Sequence, residues 1–209
     1  MRNLLPLFVD LAGRRVLLVG GGAVAAGKLR QLLATDAHVH VVAPLVLADV
    51  EQMIRLADVQ ISRRAFQPSD LDDVWFVVAA ATPDVNRAVA DAAESRCVFV
   101  NAVDDPVNAS AYLSGVVRRD DVTIAISTSG DAPALTSLVR EALDAVLPHD
   151  MAQWIETARE QRTAWRRDRV PMGARKPLLL RALNDRYCVP CGQAAGRIPW
   201  LSGPEDSWL

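Results

Sequence analysis

Between residues 15 and 103, short apolar runs alternate with segments of helical period. RVLLV (15–19), HVHVV (38–42), VQISR (59–63), VWFVVAA (74–80) and VFVNAV (98–103) read as strands. Segments 24–34, 46–56 and 85–93 repeat their apolar residues at helical spacing. The link over 63–73 is shorter and need not hold a helix. Such alternation predicts an open, mostly parallel sheet with helices on both faces. The strands are apolar along nearly their whole length, as they must be when both faces are covered.

After residue 104 the pattern changes. Two strand-like runs, 111–118 and 122–127, are joined by RRDD and predict an antiparallel hairpin. STSGDAPALTSLVREALDAVLP then predicts an amphipathic helix of about 14 residues. Asp131 stands where an N-cap is expected, Pro133 fits a first turn, and Pro148 ends the helix. A further helix is expected over 151–167. Beyond Pro171 the pattern is less regular, and the last 20 residues are rich in Gly, Pro and Trp.

Half of the 209 residues are apolar, enough for a sizeable core. A formal net charge of −2 argues against a dedicated nucleic-acid binder. No apolar run approaches the roughly 18–20 residues that span a bilayer. The start of the chain lacks the pattern of a secretory signal, so a cytoplasmic protein is expected. Three cysteines make a poor disulfide framework. Cys97, beside VFV, reads as a small core residue, and Cys188 and Cys191 as loop cysteines. His38, His40 and His149 show no metal-ligand spacing, and no metal site is expected.

The segment VLLVGGGAVAAGK carries the first chemical signal. Gly20, Gly22 and Ala25 satisfy G-x-G-x-x-G/A between a strand and a helix. There the backbone can approach a pyrophosphate, and the helix N–H groups face it. Alone, the pattern is equally that of a glycine corner packing a helix onto a sheet. No acid follows the second strand to hold a ribose 2′-hydroxyl, and no arginine follows immediately to seat a 2′-phosphate. The backbone over 43–45 is left to hold the ribose, with a mild preference for NAD over NADP.

GGGAVAAGK, VVAP, AAATPDVNRAVADAAE, FVNAVDDP and AISTSGDAPAL follow one another in an order that resembles the precorrin-2 dehydrogenase module of sirohaem synthases, including stand-alone versions. The resemblance covers about residues 1–165. It implies a Rossmann-like NAD-binding domain over 1–110, a small α+β dimerisation region over 111–147, and a helical C-terminal region with an irregular tail over 148–209. It also implies oxidation of precorrin-2 to sirohydrochlorin with NAD as hydride acceptor, on a homodimer. Some family members also insert Fe²⁺. With no histidine to assign to that step, dehydrogenase activity alone is expected. The methyltransferase module of fused sirohaem synthases is not expected, because about 40 residues follow the resemblance.

Carried onto this sequence, Gly20, Gly22, Ala23 and Val24 would contact the pyrophosphate. Ala43, Pro44 and Leu45 would flank the adenosine, and Ala81 and Thr82 would line the nicotinamide half. Thr82 also reads as an ordinary helix cap. Asp104 matches the family's active-site carboxylate. Independently, Asn101 and Asp104 fall at the C-terminal end of a strand, where open α/β sheets bind ligands, and a carboxylate there can accept a proton. The alternative for Asp104, and the reading of Asp105, is a turn-forming acid before Pro106. Ser127, Thr128 and Ser129, ahead of a helix, would hold a substrate carboxylate or simply cap that helix. Residues 151–186 hold nine basic against four acidic residues, +5 in all, which suits either an acidic substrate or a solvated basic face. A short-chain dehydrogenase is excluded, since Tyr112 and Tyr187 are followed four places on by Val116 and Cys191 rather than lysine. The remaining alternative is a non-catalytic NAD-sensing module.

Overall fold

The computed structural model describes residues 4–187 of the chain. Its first part is a five-stranded parallel sheet built from β1 (Arg15–Val19), β2 (His38–Val42), β3 (Gln60–Ser62), β4 (Phe76–Ala79) and β5 (Phe99–Ala102). The crossovers contain α1 (Ala23–Leu33), α2 (Ala48–Leu56) and α3 (Pro83–Glu94). The strand order is β3-β2-β1-β4-β5. From β1 the chain steps outward twice in one direction, then returns to place β4 on the other side. The order therefore reverses between β1 and β4, where doubly wound sheets open a crevice at their C-terminal ends.

Two apolar layers account for the nearly continuous apolar runs of the central strands β1 and β4. Val16 and Leu18 of β1 join Val39 and Val41 in a core with Ala25, Leu29 and Leu32 of α1 and Val50 and Ile54 of α2. Leu17 and Val19, pointing the opposite way, join Val77, Ala79, Val100 and Ala102 against Val89 and Ala93 of α3. Alternation along a strand sends neighbours to opposite faces, so both layers require apolar side chains at successive positions. The sheet and its helices thus form where the apolar runs place them.

The 63–73 link holds one 3₁₀ turn, Pro68–Leu71, which delivers Leu71 to the second core. Its shape comes from a reciprocal cap. Asp70 accepts from the Gln67 N–H at 2.8 Å and from Arg64 Nη2 at 2.5 Å. The Arg64 guanidinium beside it, helped by that N–H, holds the Asp70 carboxyl below the usual carboxylate range.

The chain divides into two compact units. Among the described residues, those up to Gly115 together with Ile126–Leu138 form the first, and Val116–Ala125 with those from Val139 on form the second. β6 (Gly115–Arg119) and β7 (Val122–Ile126) pair as a two-stranded sheet. A two-residue link permits only the antiparallel pairing expected from sequence. α4 (Pro133–Val146) has the expected 14 residues and buries none of them. α5 (Met151–Arg167) and α6 (Met172–Tyr187) complete the second unit, whose core joins Met151, Trp154 and Leu183 with Leu179 and Val122. The hairpin turn is tied to α5: Asp120 Oδ2 accepts the Ala152 N–H at 2.8 Å, and Arg159 Nη2 donates to Asp121 Oδ2 at 2.6 Å.

Three sequence expectations need correction. Cys97 is exposed, not core. It occupies the left-handed turn after α3 at φ 55°, two residues before the chain re-enters the sheet. The region after Pro171 is helical as far as Tyr187. Gly173 and Pro177 hide that helix from a propensity reading, since a proline inside a helix costs about 3 kcal/mol. Leu179 and Leu183, one turn apart, offset the cost by packing on Met151 and Trp154. Finally, α4 begins at Pro133, so Asp131 lies one residue outside the cap position. Cys188 and Cys191 lie outside the described residues.

Candidate functional site

The glycine turn sits where β1 hands over to α1, at the reversal of strand order. Gly20 has φ +125°, and a Cβ there would overlap the Ala80 carbonyl at the end of β4. A Cβ on Gly21 would overlap the Leu45 carbonyl, and the Leu47 N–H donates to the Gly21 carbonyl at 2.9 Å. These two glycines let three chain segments close together. Gly22 differs: its φ is −84°, and a Cβ there would meet nothing within 4 Å. It is the N-cap of α1, with no side-chain cap and no acid in the first turn. The N–H groups of this 11-residue helix, Ala23 and Val24 included, therefore face open space with the positive end of the helix dipole.

Beside this turn lies a cleft of about 570 Å³. Val24 borders it from α1, Ala80 and Ala81 from the end of β4, Asn86 and Arg87 from α3, and Asp104, Asp105 and Asn108 from the loop after β5. The fold thus collects at one place residues far apart in sequence. Asn86, 2% exposed, accepts the Ala81 N–H on Oδ1 at 3.1 Å and so shapes the turn after β4. Thr82 occupies the N-cap position of α3, but its hydroxyl makes no cap bond. Its backbone carbonyl accepts from Asn86 N–H at 2.9 Å.

The two neighbouring acids have different surroundings. Asp105 accepts from Asn108 Nδ2 at 2.6 Å and from the Asn108 N–H at 3.4 Å, which makes it a turn residue. Asp104 adopts the left-handed conformation at φ 55° and is exposed to the cleft. Its charge acts on Lys28 of α1, a half-buried lysine. Burial lowers the proton affinity of Lys28, while the Asp104 charge pulls it back up.

Asn101 lies behind the cleft wall. It alternates with Val100 and Ala102, so its side chain falls on the α1 side of the sheet. Nδ2 donates to the Ala111 carbonyl at 3.1 Å, and Oδ1 is buried without a partner among the described residues. The 127–130 loop lies against the same segment, since a Cβ on Gly130 would sit 3.6 Å from both Pro106 and the Tyr112 ring. Ser127 Oγ accepts the Ser129 N–H at 3.1 Å, and Thr128 Oγ1 accepts the Ala132 N–H at 3.2 Å as α4 begins.

At the far end of the turn, Ala43 is buried while Pro44 and Leu45 are exposed, Leu45 by 84%. An apolar shelf thus lies beside the glycine turn. The Ala43 N–H donates to Ser62 at the end of β3. The two arginines that follow are already engaged: Arg63 Nη2 with Glu51 at 2.6 Å, and Arg64 with Asp70. Neither is left free for a 2′-phosphate.

Among the described residues no three His, Cys, Asp or Glu side chains are grouped to hold a metal ion. His40 Nε2 lies 3.0 Å from Ser62 Oγ. Asn86, Arg87 and Asn108 line the cleft without a role assigned from sequence, and Lys28 stands one turn behind the lining Val24. Lys28 was within reach of sequence reasoning, since it lies one helical turn after Val24 on the same side of α1.

A parallel sheet with reversed strand order, a glycine turn opening onto an uncapped helix, and a cleft at the strand ends define a dinucleotide-binding domain of the Rossmann type. The comparisons agree. The chain belongs to the family described as "Putative NAD(P)-binding", whose model matches residues 7–115. A second model, "Sirohaem biosynthesis protein central", matches residues 119–145. A siroheme synthase of Photorhabdus laumondii is 38% identical over 186 residues, covering 88% of this chain and 40% of its own. One from Actinobacillus pleuropneumoniae is 39% identical over 163 residues, 78% of this chain and 34% of its own. The chain thus spans about two fifths or less of the length of these relatives. Among solved structures, "SirC, precorrin-2 dehydrogenase" superposes with a TM-score of 0.68 at 27% identity, covering 88% of this chain and 92% of that one.

Proposed function

We propose that the chain is an NAD-dependent precorrin-2 dehydrogenase, oxidising precorrin-2 to sirohydrochlorin in sirohaem biosynthesis. The observation that carries this reading is the Asp104 carboxylate, exposed in a cleft beside a dinucleotide turn. The likeness to a precorrin-2 dehydrogenase over nearly that protein's full length supports the substrate. Gly20 and Gly21 close the turn, and the N–H groups of Ala23 and Val24 with the Gly22 backbone would hold the pyrophosphate. Ala43, Pro44 and Leu45 would carry the adenosine, and Ala81 and Thr82 the nicotinamide end. Bound there, NAD⁺ supplies the hydride acceptor.

The oxidation removes a hydride and a proton from the macrocycle. Asp104 accepts the proton. Asp105 and Asn108 hold the loop that presents it, and Asn86 fixes the turn opposite. Asn101 steadies the segment at 111 behind that loop, and Ser127, Thr128 and Ser129 would border the substrate from the adjoining loop. Thr128 Oγ1 also accepts the Ala132 N–H in the turn that leads into α4.

We further propose a homodimer. α4 leaves Leu135, Leu138 and Val146 exposed along one side, spaced as on a single helical face, and a second copy would cover them. The regions 1–110, 111–147 and 148–209 would then serve cofactor binding, pairing and support. Among the described residues no helix is long and apolar enough to cross a membrane. The exposed thiol of Cys97 suits a reducing compartment, and we place the protein in the cytoplasm. Iron insertion into sirohydrochlorin is a separate activity, to be assayed by adding Fe²⁺ after oxidation. The test of the main reading is anaerobic incubation with precorrin-2 and NAD⁺: NADH and sirohydrochlorin are expected together, and NAD⁺ binding without turnover would favour the sensing module instead.

A further inference from the structure

The cleft poses an electrostatic problem. Its loop wall presents Asp104 and Asp105, yet a precorrin is itself rich in carboxylates and would be repelled by them. Two cations stand where they could reverse that repulsion. Lys28 projects from α1 one turn beyond Val24, which lines the cleft. It is half-buried, senses the Asp104 charge, and forms no ion pair within 4.0 Å among the described residues. A lysine with a flexible four-carbon stem normally carries its charge out to water. Here the side chain is half-buried and its ammonium has no ion pair among the described residues, an arrangement that an incoming anion would complete. Arg87 lies on α3, on the other side of the sheet, and lines the cleft directly. It too is unpaired among the described residues, whereas Arg63, Arg64 and Arg96 of the same unit are bound to acids of their own chain.

We propose that Lys28 and Arg87 are the substrate-carboxylate anchors of this site, gripping acidic side chains of the tetrapyrrole from the two walls that flank Asp104. The inference rests on the dehydrogenase reading for its substrate, but each anchor is testable without turnover. Arg87 offers a planar fork suited to a carboxylate at the cleft, and Lys28 a point charge on a flexible stem one turn behind the lining Val24. Together they hold the substrate against Asp104 while leaving the glycine turn to the cofactor.

The experiment compares wild type with K28Q, K28R and R87M, measuring KM and kcat for precorrin-2, NAD⁺ affinity, and binding of sirohydrochlorin by absorbance. One lost charge-assisted contact corresponds to a roughly ten- to hundred-fold weakening. K28Q and R87M are expected to raise KM and weaken sirohydrochlorin binding by that range, with NAD⁺ affinity held within about two-fold. K28R, which keeps the charge, is expected to recover most of the K28Q loss and to read the site should K28Q fold poorly. Unchanged sirohydrochlorin binding in both K28Q and R87M would overturn the proposal, as would a loss confined to NAD⁺ affinity. Were wild type to produce no NADH while these substitutions still weakened sirohydrochlorin binding, the anchors would stand and the dehydrogenase reading would fall.

Discussion

Gly22→Ala separates what the glycine turn does for folding from what it does for the cofactor. At Gly20 the backbone has φ +125° and an added methyl would run into the Ala80 carbonyl. Gly20→Ala is thus expected to cost several kcal/mol, through both the disfavoured φ and the backbone overlap. Gly22 has an ordinary φ of −84° and empty space where its Cβ would lie. The only folding cost of Gly22→Ala is a poorer N-cap, about 1 kcal/mol. On the proposed placement of the cofactor, that methyl would nevertheless stand where the pyrophosphate approaches the helix. Losing one charge-assisted contact there, worth about 1.5–3 kcal/mol, weakens NAD⁺ binding roughly ten- to hundred-fold. Chemical denaturation and calorimetric titration with NAD⁺ measure the two effects on the same samples. A Gly22→Ala protein that folds normally and binds NAD⁺ with wild-type affinity would refute the placement of the pyrophosphate.

Asp104→Asn is expected to lower kcat by about a hundred-fold or more, the usual contribution of a general base, with NAD⁺ affinity unchanged by titration. Stability should fall on acidification. Asp70 is held below its ordinary pKa by Arg64, so its contribution is complete above about pH 4 and is lost as pH drops through the lower folded value. Denaturation midpoints across acidic pH should therefore fall less steeply for Asp70→Asn, and equal slopes would show the pair to be inert. Leu138→Glu, placed on the exposed face of α4, is expected to convert a dimer to a monomer in sedimentation velocity without lowering helix content. An unchanged sedimentation coefficient would place the pairing surface elsewhere.

The sheet was legible because its physics is local. A strand covered on both faces must be largely apolar at successive positions, and β1 from Val16 on and β4 are; β2 and β5 depart from this only at His38, His40 and Asn101. The helix α6 was not, because Gly173 and Pro177 argue against it locally, and the burial of Leu179 and Leu183 against α5 is a tertiary effect. Cys97 misled for a related reason: its apolar neighbours belong to β5, but it occupies the turn before that strand. At the site, the turn and Asp104 carry recognisable motifs. Asn86, Arg87 and Lys28 fall within motif stretches but stayed without a role, since nothing in the order of residues tells that α1, α3 and the loop after β5 converge on one cleft.

The central claim is that this cleft couples a tetrapyrrole's oxidation to reduction of the cofactor in the neighbouring turn. Anaerobic stoichiometry tests it most directly: purified protein, precorrin-2 and NAD⁺, with NADH and sirohydrochlorin quantified together over time. The account expects the two products to appear in equal amounts, and both to be lost in Asp104→Asn. Sirohydrochlorin forming at the same rate without NAD⁺, or no enzyme-dependent NADH from precorrin-2, would contradict it.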